Sequence, residues 1–138
     1  MVDIYLRYEG DLHCTARHGP SGTQIETDAP VDNHGRGASF SPTDLVAAAL
    51  GVCMLTVMGI LANKEGWELR GIDVHVQKQM TKLLPRRIER LTVEFTVPPA
   101  VASALDSDAK QRLEHAALHC PVRLSIAESI DVPVRFGW

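Results

Sequence analysis

Apolar and polar positions alternate in two stretches of the chain and fuse into one unbroken apolar block in a third. Ile72, Val74, Val76 and Met80 alternate with Asp73, His75 and Gln77. Leu91, Val93, Phe95 and Val97 alternate with Thr92, Glu94 and Thr96. A period of two with β-branched residues predicts two half-buried strands. Pro85 lies in their connection, and Pro98-Pro99 ends the second. Residues 2–8 and 11–18 predict two more short strands around the turn Glu9-Gly10-Asp11. His18-Gly19-Pro20-Ser21-Gly22 is a dense turn signal, after which Gln24 to Thr27 can close an antiparallel meander. Residues 28–40, holding Pro30, Asn33, Gly35 and Gly37, read as a loop.

The apolar block runs from Leu45 to Ala62, with only Thr56 openly polar. It predicts a long helix with a well-marked start. Ser41 suits the N-cap, Pro42 the first helical position, and Asp44 stands three residues after the cap, where its carboxylate can return a hydrogen bond. Gly66 suits the left-handed residue that ends the helix. A second helix is predicted over Ser107 to His119, with Ala109, Leu113, Ala116, Ala117 and Cys120 on its apolar stripe. Pro121 follows Cys120 directly, which means either a kink or a restart with Cys120 near the new N-cap. Residues 122–128 then read as helical and Val132 to Phe136 as a last strand. The order strands, long helix, strands, helix, strand belongs to the α+β class.

Composition narrows the function. The chain has 138 residues, the size of one ordinary domain, so a single domain over 1–138 is expected. Its formal net charge is -3 with no long basic block, which argues against a nucleic-acid partner. Met1 to Tyr5 shows no basic start before an apolar run, so no secretory signal is read there and a cytoplasmic location is expected. Three cysteines in such a chain point to transient rather than structural disulfides. The eighteen residues of the apolar block reach the length of a membrane span. They are rich in Ala and Gly and have no aromatic belt or one-sided basic flank, so no membrane insertion is expected. A helix apolar all round is instead buried in protein, in so small a domain partly by a second subunit.

Several residues could carry chemistry. Cys53, among Val52, Met54 and Leu55, reads first as a small core hydrophobe, and as a nucleophile only with a nearby cation or aimed N–H donors. Cys120, at the start of a helical turn, could be favoured as thiolate by free N–H groups, or could simply pack. Cys14 lies in a strand with no flanking signal and reads as structural. His115 and His119 share a helix face and could supply two metal ligands, although zinc wants three or four. A solvated face is the plainer reading. Arg17, before the tight turn, and Arg36, in the Gly-rich loop before the long helix, are the cations that could reach a thiolate. Arg86, Arg87 and Arg90 read as a solvated strand end.

Gly37-Ala38-Ser39-Phe40-Ser41-Pro42-Thr43-Asp44-Leu45-Val46-Ala47-Ala48-Ala49-Leu50-Gly51-Val52-Cys53 resembles the loop and helix that carry the first cysteine of the OsmC/Ohr family, and His119-Cys120-Pro121-Val122 resembles its second-cysteine motif. The resemblance covers essentially the whole chain. It implies an OsmC-like fold, with antiparallel sheets packed around a long central helix, and an intertwined homodimer with active sites at the subunit interface. It also implies a thiol-dependent peroxidase that reduces organic hydroperoxides and, in some members, hydrogen peroxide. Cys53 would be the peroxidatic residue and Cys120 the resolving one, with no bound cofactor and an external thiol or dithiol as reductant. An arginine would hold the thiolate. Arg17 matches its position in the Ohr branch and is slightly preferred, and Arg36 is closer to its place in the OsmC branch. Better-known members carry a glutamate directly after the proline as the arginine's partner. Here that position is Thr43, and the nearest acid is Asp44, about a hundred degrees further round the helix. A redox-sensing or ligand-binding relative is the alternative that this departure leaves open.

Overall fold

The computed structural model describes residues 1–138. The chain forms two compact units, Met1–Val46 and Ala47–Trp138.

The smaller unit is built on a three-stranded antiparallel meander, β1 (Ile4–Gly10), β2 (His13–His18) and β3 (Gln24–Asp28), in the order β1-β2-β3. The first turn falls on Asp11 and Leu12, both left-handed at φ 49 and φ 60, which is the backbone a two-residue hairpin turn requires. It lies one residue later than Glu9-Gly10-Asp11 because Gly10 (φ 95) still pairs with His13 across a register shift. Directly paired residues share a face. Tyr5, Arg7, Thr15, Arg17 and Gln24 therefore form a polar face, and Leu6, Tyr8, Cys14, Ala16 and Ile25 an apolar one.

After β3 the chain wraps tightly on itself through a short 3-10 turn, Val31–Asn33, that sequence patterning did not show. Pro30 O accepts from the Gly35 N–H at 3.0 Å, and Ala29 O from the Gly37 N–H at 3.1 Å. A Cβ on residue 35 would fall onto the Ala29 carbonyl, so only glycine fits there.

Helix α1 (Pro42–Glu65) starts in the smaller unit and runs through the larger. Its start follows the capping pattern: the Ser41 N–H donates to Asp44 Oδ2 at 2.8 Å and the Asp44 N–H to Ser41 Oγ at 3.2 Å. Gly66 (φ 75) ends it. In the larger unit β4 (Asp73–Met80) and β5 (Ile88–Thr96) pair antiparallel, and β6 (Val134–Gly137) runs parallel to β5. The second sheet is therefore mixed, since the three helical segments between β5 and β6 return the chain to run alongside β5 in the same direction. Those segments are α2 (Pro99–Ala104), α3 (Ser107–Leu118) and α4 (Pro121–Ser125). Pro98-Pro99 does end β5, but Pro99 also opens α2, where its fixed φ suits the first helical turn.

Ala47, Leu50, Met54, Met58 and Ala62 recur every three or four residues along α1 and are buried together with Leu91, Val93, Phe95, Leu113 and Ala117. Gly51 lets α1 approach β4: an added Cβ would lie 2.9 Å from Val76 Cγ2 and 3.2 Å from Val74 Cγ1. The end of α1 is tied to α3 by a two-pronged ion pair, Arg112 Nη2 to Glu65 Oε1 at 2.7 Å and Nη1 to Oε2 at 3.2 Å. The same guanidinium lies over the Trp67 ring. Trp138 closes the chain by donating its Nε1–H to Glu114 Oε1 at 2.6 Å.

Gly35→Ala is expected to destabilise the fold by about 3 kcal/mol, the upper part of the usual range for point changes, because the clash is with backbone. Urea unfolding measures this, and a loss below about 0.5 kcal/mol, the range of an ordinary surface change, would contradict the loop geometry.

Candidate active site

The larger unit brings Cys53 and Cys120 together. Cys53 lies on α1 beside the buried stripe and is half-buried, while Cys120 is wholly buried. The two thiols are near enough that Cys53 raises the pKa of Cys120. Neither is in a disulfide.

Local sequence explains how Cys120 is held. Helix α3 ends at Leu118 with His119 as its C-cap, and Pro121 opens α4. The chain therefore restarts and does not simply kink. Cys120 is the extended N-cap of α4, and its Sγ accepts the Arg123 N–H at 3.4 Å. Burial is the largest influence on this thiol and pushes it up from the ordinary value, since a thiolate there would lose its hydration. The Arg123 N–H pulls the other way, and the neighbouring Cys53 adds to the upward shift. Cys120 is accordingly a protonated thiol at neutral pH, near the less buried Cys53. The part of the sequence reading that had the N–H groups making Cys120 a thiolate is outweighed by burial.

Cys14 stands opposite Tyr8 and Thr27 within the first sheet, as a free thiol. Arg17 lies on the polar face of that sheet with its guanidinium 4.5 Å from the Tyr5 ring centroid. Arg36 is bonded to a carboxylate, Nη2 to Asp28 Oδ1 at 3.3 Å. Asp28 itself is only 2 % exposed. Its Oδ1 also meets His13 Nδ1 at 2.6 Å, and its Oδ2 accepts the Ala38 N–H at 3.0 Å. An ionised carboxylate only accepts, so His13 carries its proton on Nδ1. These bonds hold Asp28 below the ordinary carboxylate value, the His13 bond most strongly, against the upward push of burial. Sequence reasoning singled out neither His13 nor Asp28. The available signal was an acid at the junction of a strand and a Gly-rich loop that also holds an arginine.

Asp44 serves the helix cap as described, and Thr43 Oγ1 lies 3.1 Å from Ser41 Oγ. His115 and His119 stack with ring centroids 4.0 Å apart, and His119 Nδ1 meets the His115 carbonyl at 2.7 Å. No third ligand gathers with them. Arg90 pairs with Asp131 at 2.8 Å, and Arg87 reaches the Ile88 and Ser129 carbonyls.

Comparison with known proteins agrees with this picture. Residues 34–135 match the family described as OsmC-like protein. A Psychrobacter arcticus protein, named for osmotic stress induction and a detoxification response, is 38 % identical, with 99 % of this chain and 96 % of that one covered at a TM-score of 0.90. A Legionella pneumophila organic hydroperoxide resistance protein OsmC shares the fold at 14 % identity, with 100 % and 97 % covered and a TM-score of 0.76. So does a Vibrio cholerae organic hydroperoxide resistance protein carrying captopril in one of its active sites, at 15 % identity, 99 % and 91 % covered and a TM-score of 0.75. No curated protein matches the chain. With three quarters of its length matched by the family and a close relative aligned end to end, the chain belongs to the OsmC-like family, in the OsmC/Ohr group.

Proposed function

We propose that this protein is a thiol-dependent peroxidase that reduces organic hydroperoxides, and hydrogen peroxide as a smaller substrate, in defence against oxidative stress. The observation that carries the reading is the pair itself: a half-buried Cys53 near enough to a wholly buried, protonated Cys120 to raise its pKa. The organic hydroperoxide resistance named for the Legionella and Vibrio proteins supports the substrate class.

The Cys53 thiolate attacks one peroxide oxygen, the O–O bond breaks, and a proton completes the leaving alcohol. Cys53 is now a sulfenic acid. The Cys120 thiol attacks the Cys53 sulfur, the S–O bond breaks, and the oxygen leaves as water with the Cys120 proton. A disulfide joins the pair, which spares Cys53 from over-oxidation. Two electrons from an external thiol or dithiol restore both thiols. No bound cofactor takes part. A reducing compartment such as the cytoplasm supplies such thiols.

The peroxidatic role falls on Cys53, the less buried of the two cysteines. Arg17 or Arg36 is the guanidinium that would hold the thiolate and polarise the peroxide. We also propose a homodimer, because α1 leaves apolar side chains on its outer face, Val52 at 62 % and Ile60 at 64 % exposed. A second copy is the cover that suits them. A redox sensor on the same fold is the second reading, favoured by Thr43 standing where relatives carry a glutamate.

Consumption of cumene hydroperoxide with dithiothreitol as reductant tests the reading. The wild type should turn over many equivalents and Cys53→Ser none. A wild type that reacts once and stops would favour the sensor, and one with no Cys53-dependent reaction would exclude both. Iodoacetamide at neutral pH should label Cys53 before Cys120, because Cys120 is buried and protonated. The reverse order, read by peptide mass, would contradict the division of roles. Light scattering in solution should give twice the mass of one chain, and a monomer would contradict the dimer.

A further inference from the structure

The connection between β4 and β5 is a closed turn that holds two apolar side chains out into solvent. Thr81 closes its base. Its N–H donates to the Arg87 carbonyl at 2.9 Å, its Oγ1 donates to the Pro85 carbonyl at 3.1 Å, and the same oxygen accepts the Arg87 N–H at 3.1 Å. Arg87 is further held through Nη1, which donates to the Ile88 and Ser129 carbonyls. Beyond this closure stand Leu83 at 82 % and Leu84 at 90 % exposed, more than any other large apolar side chain of the larger unit. A single exposed leucine is ordinary, but two adjacent ones at the tip of a hairpin make a contiguous apolar point.

Charge gathers at the same tip. Lys82 precedes the two leucines, and Arg86 and Arg87 follow them after Pro85. Residues 78–90 hold five of the chain's fourteen Lys and Arg but one of its seventeen Asp and Glu, although the chain as a whole carries -3. Arg90 is paired with Asp131, whereas the Arg87 guanidinium meets neutral carbonyls and keeps its charge. Leucines alone would suit another protein surface, and cations alone any polyanion. Together at one point they suit an anionic lipid surface, where leucines enter the acyl boundary and long cationic side chains keep their heads among the phosphates. We propose that the tip Lys82–Arg87 docks the protein peripherally on an anionic phospholipid bilayer, with Leu83 and Leu84 as the inserted pair. Helix α1 does not enter the bilayer in this arrangement, and the docking does not depend on the peroxidase reading.

Cosedimentation of the full chain with vesicles tests it. Partition onto mixed phosphatidylcholine–phosphatidylglycerol vesicles should exceed that onto pure phosphatidylcholine by about tenfold or more at low salt, and should fall as salt screens the cations. Leu83→Ser/Leu84→Ser should lower partition onto the mixed vesicles by about tenfold or more. Lys82→Glu should lower it on the mixed vesicles and leave the weaker binding to neutral ones unchanged. These side chains are exposed, so both variants should keep the wild-type circular dichroism. If the double variant does not fold, Leu84→Ser alone replaces it, with a smaller loss expected. A wild type that does not sediment, equal partition onto both kinds of vesicle, or undiminished partition of the leucine variant would overturn the proposal. So would a leucine variant that changes from dimer to monomer in light scattering, since the pair would then be a subunit contact.

Discussion

Close packing of α1 against β4, β5 and α3 is the constraint on which the larger unit depends, and it brings Cys53 and Cys120 from distant parts of the chain near each other. Gly51 removes a side chain from α1 where the helix leans on Val74 and Val76 of β4. The stripe from Ala47 to Ala62 fixes the rotation of α1, and with it the flank on which Cys53 lies. The Arg112–Glu65 fork ties the far end of α1 to α3. The stop at His119 and restart at Pro121 then deliver Cys120 to the same place as an N-cap. Interiors at crystal-like density do not tolerate small displacements, so the approach of Cys53 to Cys120 is a property of the whole unit.

The pair is asymmetric, and the asymmetry has a direction. Cys120 is buried and stays protonated, whereas Cys53 is only half-buried. In the smaller unit Asp28 meets His13, Ala38 and Arg36 at once, so a buried carboxylate fixes an arginine that remains open to solvent.

Much of this was legible in the sequence for identifiable reasons. The strands β4 and β5 were visible because one face of each meets the core and the other does not, so period two survives in the residues. The start of α1 was visible because Ser41, Pro42 and Asp44 each meet a local need of the first turn. Cys53 and Cys120 were legible as a pair only through the resemblance to known relatives, since each alone reads better as core. What failed to show was non-local. The buried stripe of α1 was hidden because its outer face is apolar too. The parallel pairing of β6 with β5 depends on the path of the chain through α2 to α4. The His13–Asp28–Arg36 cluster joins two strands and a loop, and no spacing in the sequence announces it. Helix α2 was masked by Pro98-Pro99, which reads as a stop although Pro99 is also a good first helical residue.

The central claim is that Cys53 takes the oxygen and Cys120 takes it from there. Intact-protein mass after one equivalent of cumene hydroperoxide, without reductant, tests it most directly. The account predicts a species lacking two hydrogens in the wild type, with digestion recovering Cys53 linked to Cys120. It predicts a species carrying one added oxygen on Cys53 in Cys120→Ser. A wild type that keeps added oxygen on Cys53 with Cys120 still a free thiol would contradict it.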